Sequence, residues 1–436
     1  MPLLTSRNGV YASRAVQVPS ARTQLGLLKR EPSFRLLFLA TLGSGAGTWL
    51  ALVALQIDVF HRTHSPAWMS ALLIADLVPM FTLGLFAGPL IDRLSRKRLM
   101  IVSDLVRFGV FCTLPFAGSA AAIVALAAIA GVATGVFRPA VYAGLPNLVD
   151  DRNLGSANSL LQSIDNVTWA LGSIAGGALV AARGPHLAYW LNAATFVLSS
   201  ALLLRIPERL LQEGRAATRG LLHDLGDGFA LVLRSRALLT VLVAWNVTML
   251  ANAGINVAEP FLALNSFSAG SFGLGLLMGC AGVGLAMGAF GAAASIERRG
   301  LPRVYGGAMA LMALGIGAAA AAPDVWVASA CVVVSGAGNG AAIVCNALLV
   351  QRGAPDQLRG RAFTVLMSAN TAMLTLGMVA AGDLTGVIGP RWMWATAAGL
   401  STVAALVGFA LASGVREQRP AEREPRPLLE AAGRIE

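Results

Sequence analysis

Asn252, Asn256 and Glu259 recur at i, i+4 and i+7 in an otherwise apolar stretch, with Trp245 one heptad before the first. That spacing sets them on one face of a helix. In lipid such a stripe must look into protein or a wet cavity, so interhelical hydrogen bonding and ligand contact both fit it. Asp76, Arg107 and Asp165 fall near the middle of other apolar stretches, where an ionisable group is costly and needs a reason. Asp104 stands three residues before Arg107, within pairing distance along a helix. Asp76 and Asp165 have no cation nearby in sequence. Each is placed to alternate between neutral and charged forms, as a proton carrier must, or to serve as a structural hydrogen-bond partner. Asp58, Glu259 and Asp383 come out near one boundary of their stretches, where a solvated helix end is explanation enough. Arg138 lies close enough to a loop to snorkel.

Other chemistries are excluded. The two lysines, Lys29 and Lys97, do not follow the glycine pattern of a phosphate-binding loop, so no ATPase of that type is present. Cys112, Cys280, Cys331 and Cys345 sit inside apolar runs without paired metal spacing and read as small buried hydrophobes. The histidines His61, His64, His186 and His223 fall in connecting loops. No enzyme, cofactor, metal centre or nucleic-acid partner is expected.

These residues must be held by membrane helices. The chain has 436 residues, is 56% hydrophobic and only 13% charged, where a soluble domain averages about 25% charged. Apolar stretches of about 20 residues, enough to cross a bilayer, recur throughout. Twelve spans are predicted: 34–60, 67–91, 98–117, 119–145, 155–182, 186–206, 237–264, 269–296, 303–322, 325–350, 360–388 and 391–413. The organisation is a cytoplasmic tail (1–33), a six-helix bundle (34–206), a cytoplasmic linker (207–236), a second six-helix bundle (237–413) and a second tail (414–436). The tails, the linker and alternate loops hold 28 of the 33 Lys and Arg, and the opposite loops hold Arg62, Arg183 and Arg391. The positive-inside rule then places both termini in the cytoplasm. Scarce Lys with abundant Ala points to a bacterial cell membrane.

The sequence repeats at an offset of 205. Gly131 matches Gly336, Gly135 matches Gly340, Gly172 matches Gly377, Gly177 matches Gly382, and Gly184 with Pro185 matches Gly389 with Pro390. Asp92 and Arg93 line up with Glu297 and Arg298. An offset containing six spans keeps orientation, so the halves are expected to be related by a pseudo-two-fold axis along the membrane normal.

The loop after the second span carries Gly88, Leu90, Asp92, Arg93, Ser95, Arg96, Lys97 and Arg98. It resembles the G-x-L-x-D-R-x-G-R-K loop of the major facilitator superfamily, with Ser95 in place of the second glycine and Gly300 kept in the second half. Asp104 to Arg107, Leu145 to Val149, Ala157 to Ser159, and Arg359 with Arg361 resemble the enterobactin-exporter and macrolide-efflux branch. The resemblance implies a gate formed by Gly88, Asp92, Arg93, Arg96, Lys97, Asp104 and Arg107, in which Asp92 meets the start of span 11 near Gly360. Gly172, Gly176 and Gly177 resemble the antiporter motif G-P-x-x-G-G, with Ser173 in place of proline. The family's relay arginine in span 4 is replaced by Ala127. Family likeness also lines the cavity from spans 1, 4, 7 and 10, adding Trp49, Gln56, Asn339 and Asn346 to Trp245, Asn252, Asn256 and Glu259.

The expectation is an all-α transporter of twelve helices in two bundles, a monomer in the lipid bilayer that works by alternating access. It would export a small hydrophobic or amphiphilic molecule of drug, antibiotic or siderophore type in exchange for protons. Asp165 is the first choice of proton carrier, because it shares a face with Gly172 and Gly176, and Asp76 is the second. Proton-coupled uptake and a non-transporting sensor are the alternatives.

Overall fold

The computed structural model describes residues 21–86, 94–211, 229–355 and 358–414. Twelve of its helices are long and apolar enough to cross a membrane. They are α1 (Pro32–Thr63), α2 (Pro66–Phe86), α3 (Arg96–Thr113), α4 (Ala120–Gly144), α5 (Leu154–Arg183) and α6 (Pro185–Leu204). The second set is α7 (Arg236–Ser266), α8 (Gly270–Arg299), α9 (Leu301–Ala321), α10 (Val325–Gly353), α11 (Arg359–Ile388) and α12 (Pro390–Ser413). A short helix, Ala21–Arg30, precedes them and seats Leu27 in the core.

The helix ends follow from residue type. Proline stands at the start of α1, α6, α9 and α12, where its missing N–H leaves no bond unmade. Gly184 and Gly389 hold φ of 78° and 82° with ψ of 175° and 162°, a region open essentially to glycine alone. Each lets the chain reverse in a single residue, which explains why the glycine–proline pair recurs. Ser95, the departure from the loop motif, caps α3 by accepting from Arg98 N at 3.4 Å. Asp324 caps α10, accepting from Trp326 N and Val327 N at 2.9 Å.

Helix pairing repeats as the sequence does. In the first half α1 packs on α5 and α6, α4 on α2 and α3, and α3 on α6. Each pair has its counterpart six helices later. Across the halves α5 packs on α8 and α2 on α11, again exchanged by a step of six. The contacts are reciprocal in detail. Gly177 faces Gly275, and Gly382 faces Ser70; both 177 to 382 and 70 to 275 are steps of 205. Within the halves, Gly131 lies on the backbone at Asp76, and Gly336 on that at Ala281. A side chain at any of these glycines would displace backbone or core, so the repeated glycines are close-packing positions.

Twelve crossings return both ends of the bundle to one face, the terminal face; the α1–α2 turn marks the far face. The core differs between them. Towards the far face one continuous apolar cluster joins both halves, from Val53, Phe60 and Tyr189 to Phe261, Leu277 and Trp394. Phe60 and Phe261 meet there edge-on, with ring centroids 5.2 Å apart. Towards the terminal face the core is divided. One cluster, containing Phe34, Met100, Phe137 and Leu161, belongs to the first half, and another, containing Leu238, Tyr305, Leu349 and Leu366, to the second.

Candidate functional site

Of the loop motif, Gly88, Asp92 and Arg93 lie outside the described residues. The rest of it works within the first half. Arg96 Nη1 donates to Ala143 O at 2.9 Å, and Lys97 Nζ donates to Leu204 O and Ile206 O at 2.8 and 2.6 Å. Both cations satisfy orphan carbonyls at helix C-termini, those of α4 and α6. Arg98 approaches Glu208 at 3.3 Å.

Asp104 and Arg107 pair as the spacing predicts, at 2.5 Å, both buried. Ser199 Oγ donates to the second Asp104 oxygen at 2.7 Å, and the Arg107 guanidinium lies 4.4 Å from the ring centres of Phe137 and Phe196. The node locks α3, α4 and α6 together and is enclosed by its own half.

Asp165 departs from expectation. It is not without a cation: Arg138 Nη2 on α4 donates to Asp165 Oδ2 at 2.5 Å. The two side chains are 46% and 29% exposed. Of the antiporter-like glycines, Gly172 and Gly176 share one face in close backbone contact with a neighbour, as their spacing of four predicts. Gly172 and Gly176 pack on α1, at Ala46, Trp49 and Leu50, inside the first half. Only Gly177 meets the other half, at Ser271 and Gly275.

Asp58 is also corrected. Counting along the helix puts it at a solvated boundary, yet it is buried, 2.6 Å from Arg62 Nε and accepting from Tyr189 Oη at 3.0 Å. Arg62 Nη1 donates onward to Ala117 O at 2.9 Å. Asp383 is exposed, as a solvated helix end should be. Among the described residues Asp76 and Glu259 have no hydrogen-bond or ion-pair partner, and Glu259 is buried.

On α7, Asn256 Nδ2 donates to Asn252 O at 2.8 Å, leaving its carbonyl end available. Trp245 is packed into the core of the second half. On α1, Trp49 stacks on Trp169 of α5, with centroids 5.5 Å apart and planes at 24°. Several buried polar atoms have no partner among the described residues: Gln56 Oε1, Trp169 Nε1, Asn339 Oδ1, Asn346 Nδ2 and Asn370 Oδ1. Leaving such atoms unpaired is costly, and one of them, Trp169 Nε1, belongs to the ring stacked on Trp49. Asn346 Oδ1 is occupied, accepting from Tyr305 Oη at 2.8 Å. Trp169 and Asn370 escape a reading by single spans. Trp169 is one turn after Asp165, and Asn370 is its match at the offset of 205.

The transmembrane secretion effector family matches residues 27–433. The multidrug efflux pump Tap of Mycobacterium tuberculosis is 27% identical over 376 residues, covering 83% of this chain and 88% of Tap. The enterobactin exporter EntS of Salmonella typhimurium is 26% identical over 379 residues, covering 84% of this chain and 89% of EntS. The crystal structure of a bacterial homologue of the iron transporter ferroportin superposes with a TM-score of 0.67 at 16% identity, over 87% of this chain and 97% of that one. Matching in sequence over most of its length and in fold across all twelve helices, this multi-pass membrane chain belongs to the transmembrane secretion effector family of major facilitator transporters.

Proposed function

We propose that the protein exports small hydrophobic or amphiphilic molecules across a bacterial cell membrane in exchange for protons. Two bundles, 34–206 and 237–413, related by a pseudo-two-fold axis, alternate access to a site between them; the reciprocal contacts of Gly177 and Gly382 support that relation. The observation that carries the reading is the core, shared at the far face and divided at the terminal face. A packed interface on one side only is what a two-state gate requires, because such interfaces are bistable rather than continuously deformable. With both termini in the cytoplasm, as the charge asymmetry requires, this arrangement faces inward, and the protein acts as a monomer. Asp92, near Gly360, would close the cytoplasmic side in the opposite state.

The ligand site is drawn from Trp49, Gln56, Asn252, Asn256, Glu259, Asn339 and Asn346, joined by Trp169. Aromatic faces with a few unpaired amides suit an amphiphile better than a sugar phosphate. The coupling element is Asp165 with Arg138, and Asp76 is the second choice. Protonating Asp165 removes the charge that holds Arg138 and frees the guanidinium for a new partner. Asp165→Asn fixes the neutral form. In proteoliposomes this variant should still bind ethidium or an aromatic siderophore but lose uphill efflux and its dependence on the imposed pH gradient. Retained pH-driven efflux would remove Asp165 from coupling.

A further inference from the structure

Helix α7 is wound differently from its counterpart α1. Helix α1 is one uninterrupted α-helix from Pro32 to Thr63. In α7 the α-helical segment Asn246–Phe261 lies between two π-helical turns, Val241–Trp245 and Leu262–Ser266. A π turn holds more residues than an α turn and occurs frequently at functional sites. Each turn here has local support. The side chain of Asn246 donates to Leu242 O at 2.5 Å, serving a carbonyl of the lower turn. Pro260, just before the upper turn, has no N–H to give the carbonyl four residues back and crowds it. Beyond it, Phe267 N reaches back five residues to Leu262 O at 3.0 Å.

The two turns are packed in different cores, and the segment between them itself contributes Ala251, Ala253, Val257, Ala258 and Phe261 to the far-face cluster. Val241 and Trp245 belong to the terminal-face cluster of the second half, whereas Leu262 and Ala263 belong to the far-face cluster shared by both halves. The segment between them carries Asn252, Asn256 and Glu259. If one turn gives up its extra residue while the other takes it up, the segment turns by about 100° and moves by about 1.5 Å with its ends still packed.

We propose that the two π turns form a rotary joint, on which Asn246–Phe261 turns by one residue position as the protein changes conformation, carrying the polar stripe onto and off the path between the halves. The joint rests on the alternating-access reading, and its test separates the two. In a background with Cys112, Cys280, Cys331 and Cys345 replaced by serine, single cysteines are placed at each position of 249–258 on α7 and of 44–53 on α1. Their labelling by a water-soluble maleimide is compared between natural Gly177, with the far face shut, and Gly177→Trp, whose side chain cannot fit against Ser271 and Gly275. The joint predicts that the reactive positions on α7 move to the adjacent helix face, while those on α1 change in extent but keep their face. Unchanged α7 positions with altered labelling of α1 overturn the joint alone. Unchanged labelling of both helices overturns the alternating-access reading and the joint with it. Deleting Val243 together with Leu264 removes the extra residue of each turn. In membrane-inserted protein it should fix one labelling pattern in both backgrounds and abolish transport; normal transport by this variant overturns the joint.

Discussion

The two halves share a scaffold and differ in chemistry. Helix pairs, close-packing glycines and loop charges such as Arg93 and Arg298 repeat at an offset of 205, whereas the ion-paired residues inside the helices do not. Among the described residues, three ion pairs join residues within the membrane helices of the first half: Asp58 with Arg62, Asp104 with Arg107, and Arg138 with Asp165. The matching positions of the second half are Ala263 and Phe267, Met309 and Met312, and Ile343 and Asn370. Conversely, Asn252, Asn256 and Glu259 match Gly47, Ala51 and Ala54 in the first half. Glycine contacts constrain backbones, so any helix pair at that distance must keep them; side-chain pairs constrain only their own neighbours and can be exchanged. One half has been left to handle charge and the other to present amides.

The comparison breaks most visibly at Asp104. Asp104→Asn leaves Arg107 buried without a counter-charge, an error worth about 3–5 kcal/mol. The loss should appear as reduced folded protein and a lower unfolding temperature in detergent. Installing the second half's residues, Asp104→Met with Arg107→Met, removes both charges and should recover most of that stability, as apolar replacements of buried pairs often do. If the double variant is as unstable as the single one, the pair is more than an exchangeable packing element.

A smaller effect separates the two reciprocal contacts between halves. A methyl on Gly177 would lie 2.7 Å from Ser271 O and 2.9 Å from Gly275 Cα, both backbone. On Gly382 it would lie 3.0 Å from Ser70 Cβ and 3.3 Å from Ala67 Cα. Overpacking of this kind costs about 1–3 kcal/mol, and backbone yields less than side chain. Gly177→Ala should therefore open the far face more than Gly382→Ala. Spin labels at Leu187 and Trp326, exposed at the far ends of α6 and α10, would report it as a longer separation. Equal shifts would mean that the two contacts bear equally on closure.

Much of this was legible in the sequence, and what was missed has a common cause. Length and apolarity give twelve helices, and proline and glycine mark their ends to within a few residues, because both signals are local. The 205 offset anticipates which glycines are equivalent, although not which neighbour each one meets. The spacing of Gly172 and Gly176 gives them one face but does not say that it turns to α1 while Gly177 turns to the other half. The Arg138–Asp165 pair was hidden because its members are 27 residues apart on different helices. Asp58 was misplaced because depth along a helix says nothing of Tyr189 arriving from α6. The π turns of α7 have no compositional mark except Pro260 beside one of them.

The smallest expected effect is the sharpest test of the comparison. In each half a guanidinium ties down the loop after the third helix, but it comes from a different position. In the first half Arg62, at the end of α1, donates to Ala117 O. In the second, Arg391, at the start of α12, donates to Ala322 O at 2.7 Å and lies 4.9 Å from the ring centre of Phe267. Ala117 and Ala322 are 205 apart, and so are Arg62 and Phe267, and His186 and Arg391. The cation has thus changed sides of one contact: arginine and histidine in the first half, phenylalanine and arginine in the second. Arg62→Phe alone should destabilise by about 1–3 kcal/mol, since it leaves the Asp58 carboxylate buried and Ala117 O unserved. Adding His186→Arg restores a donor for that carbonyl, and Asp58→Ala, the second half's residue, removes the stranded charge. The triple variant should unfold within about 1 kcal/mol of the natural protein, the size of a single net hydrogen bond. A triple variant no better than Arg62→Phe would show that the halves are alike only in backbone, and that the positions facing this loop are not equivalent after all.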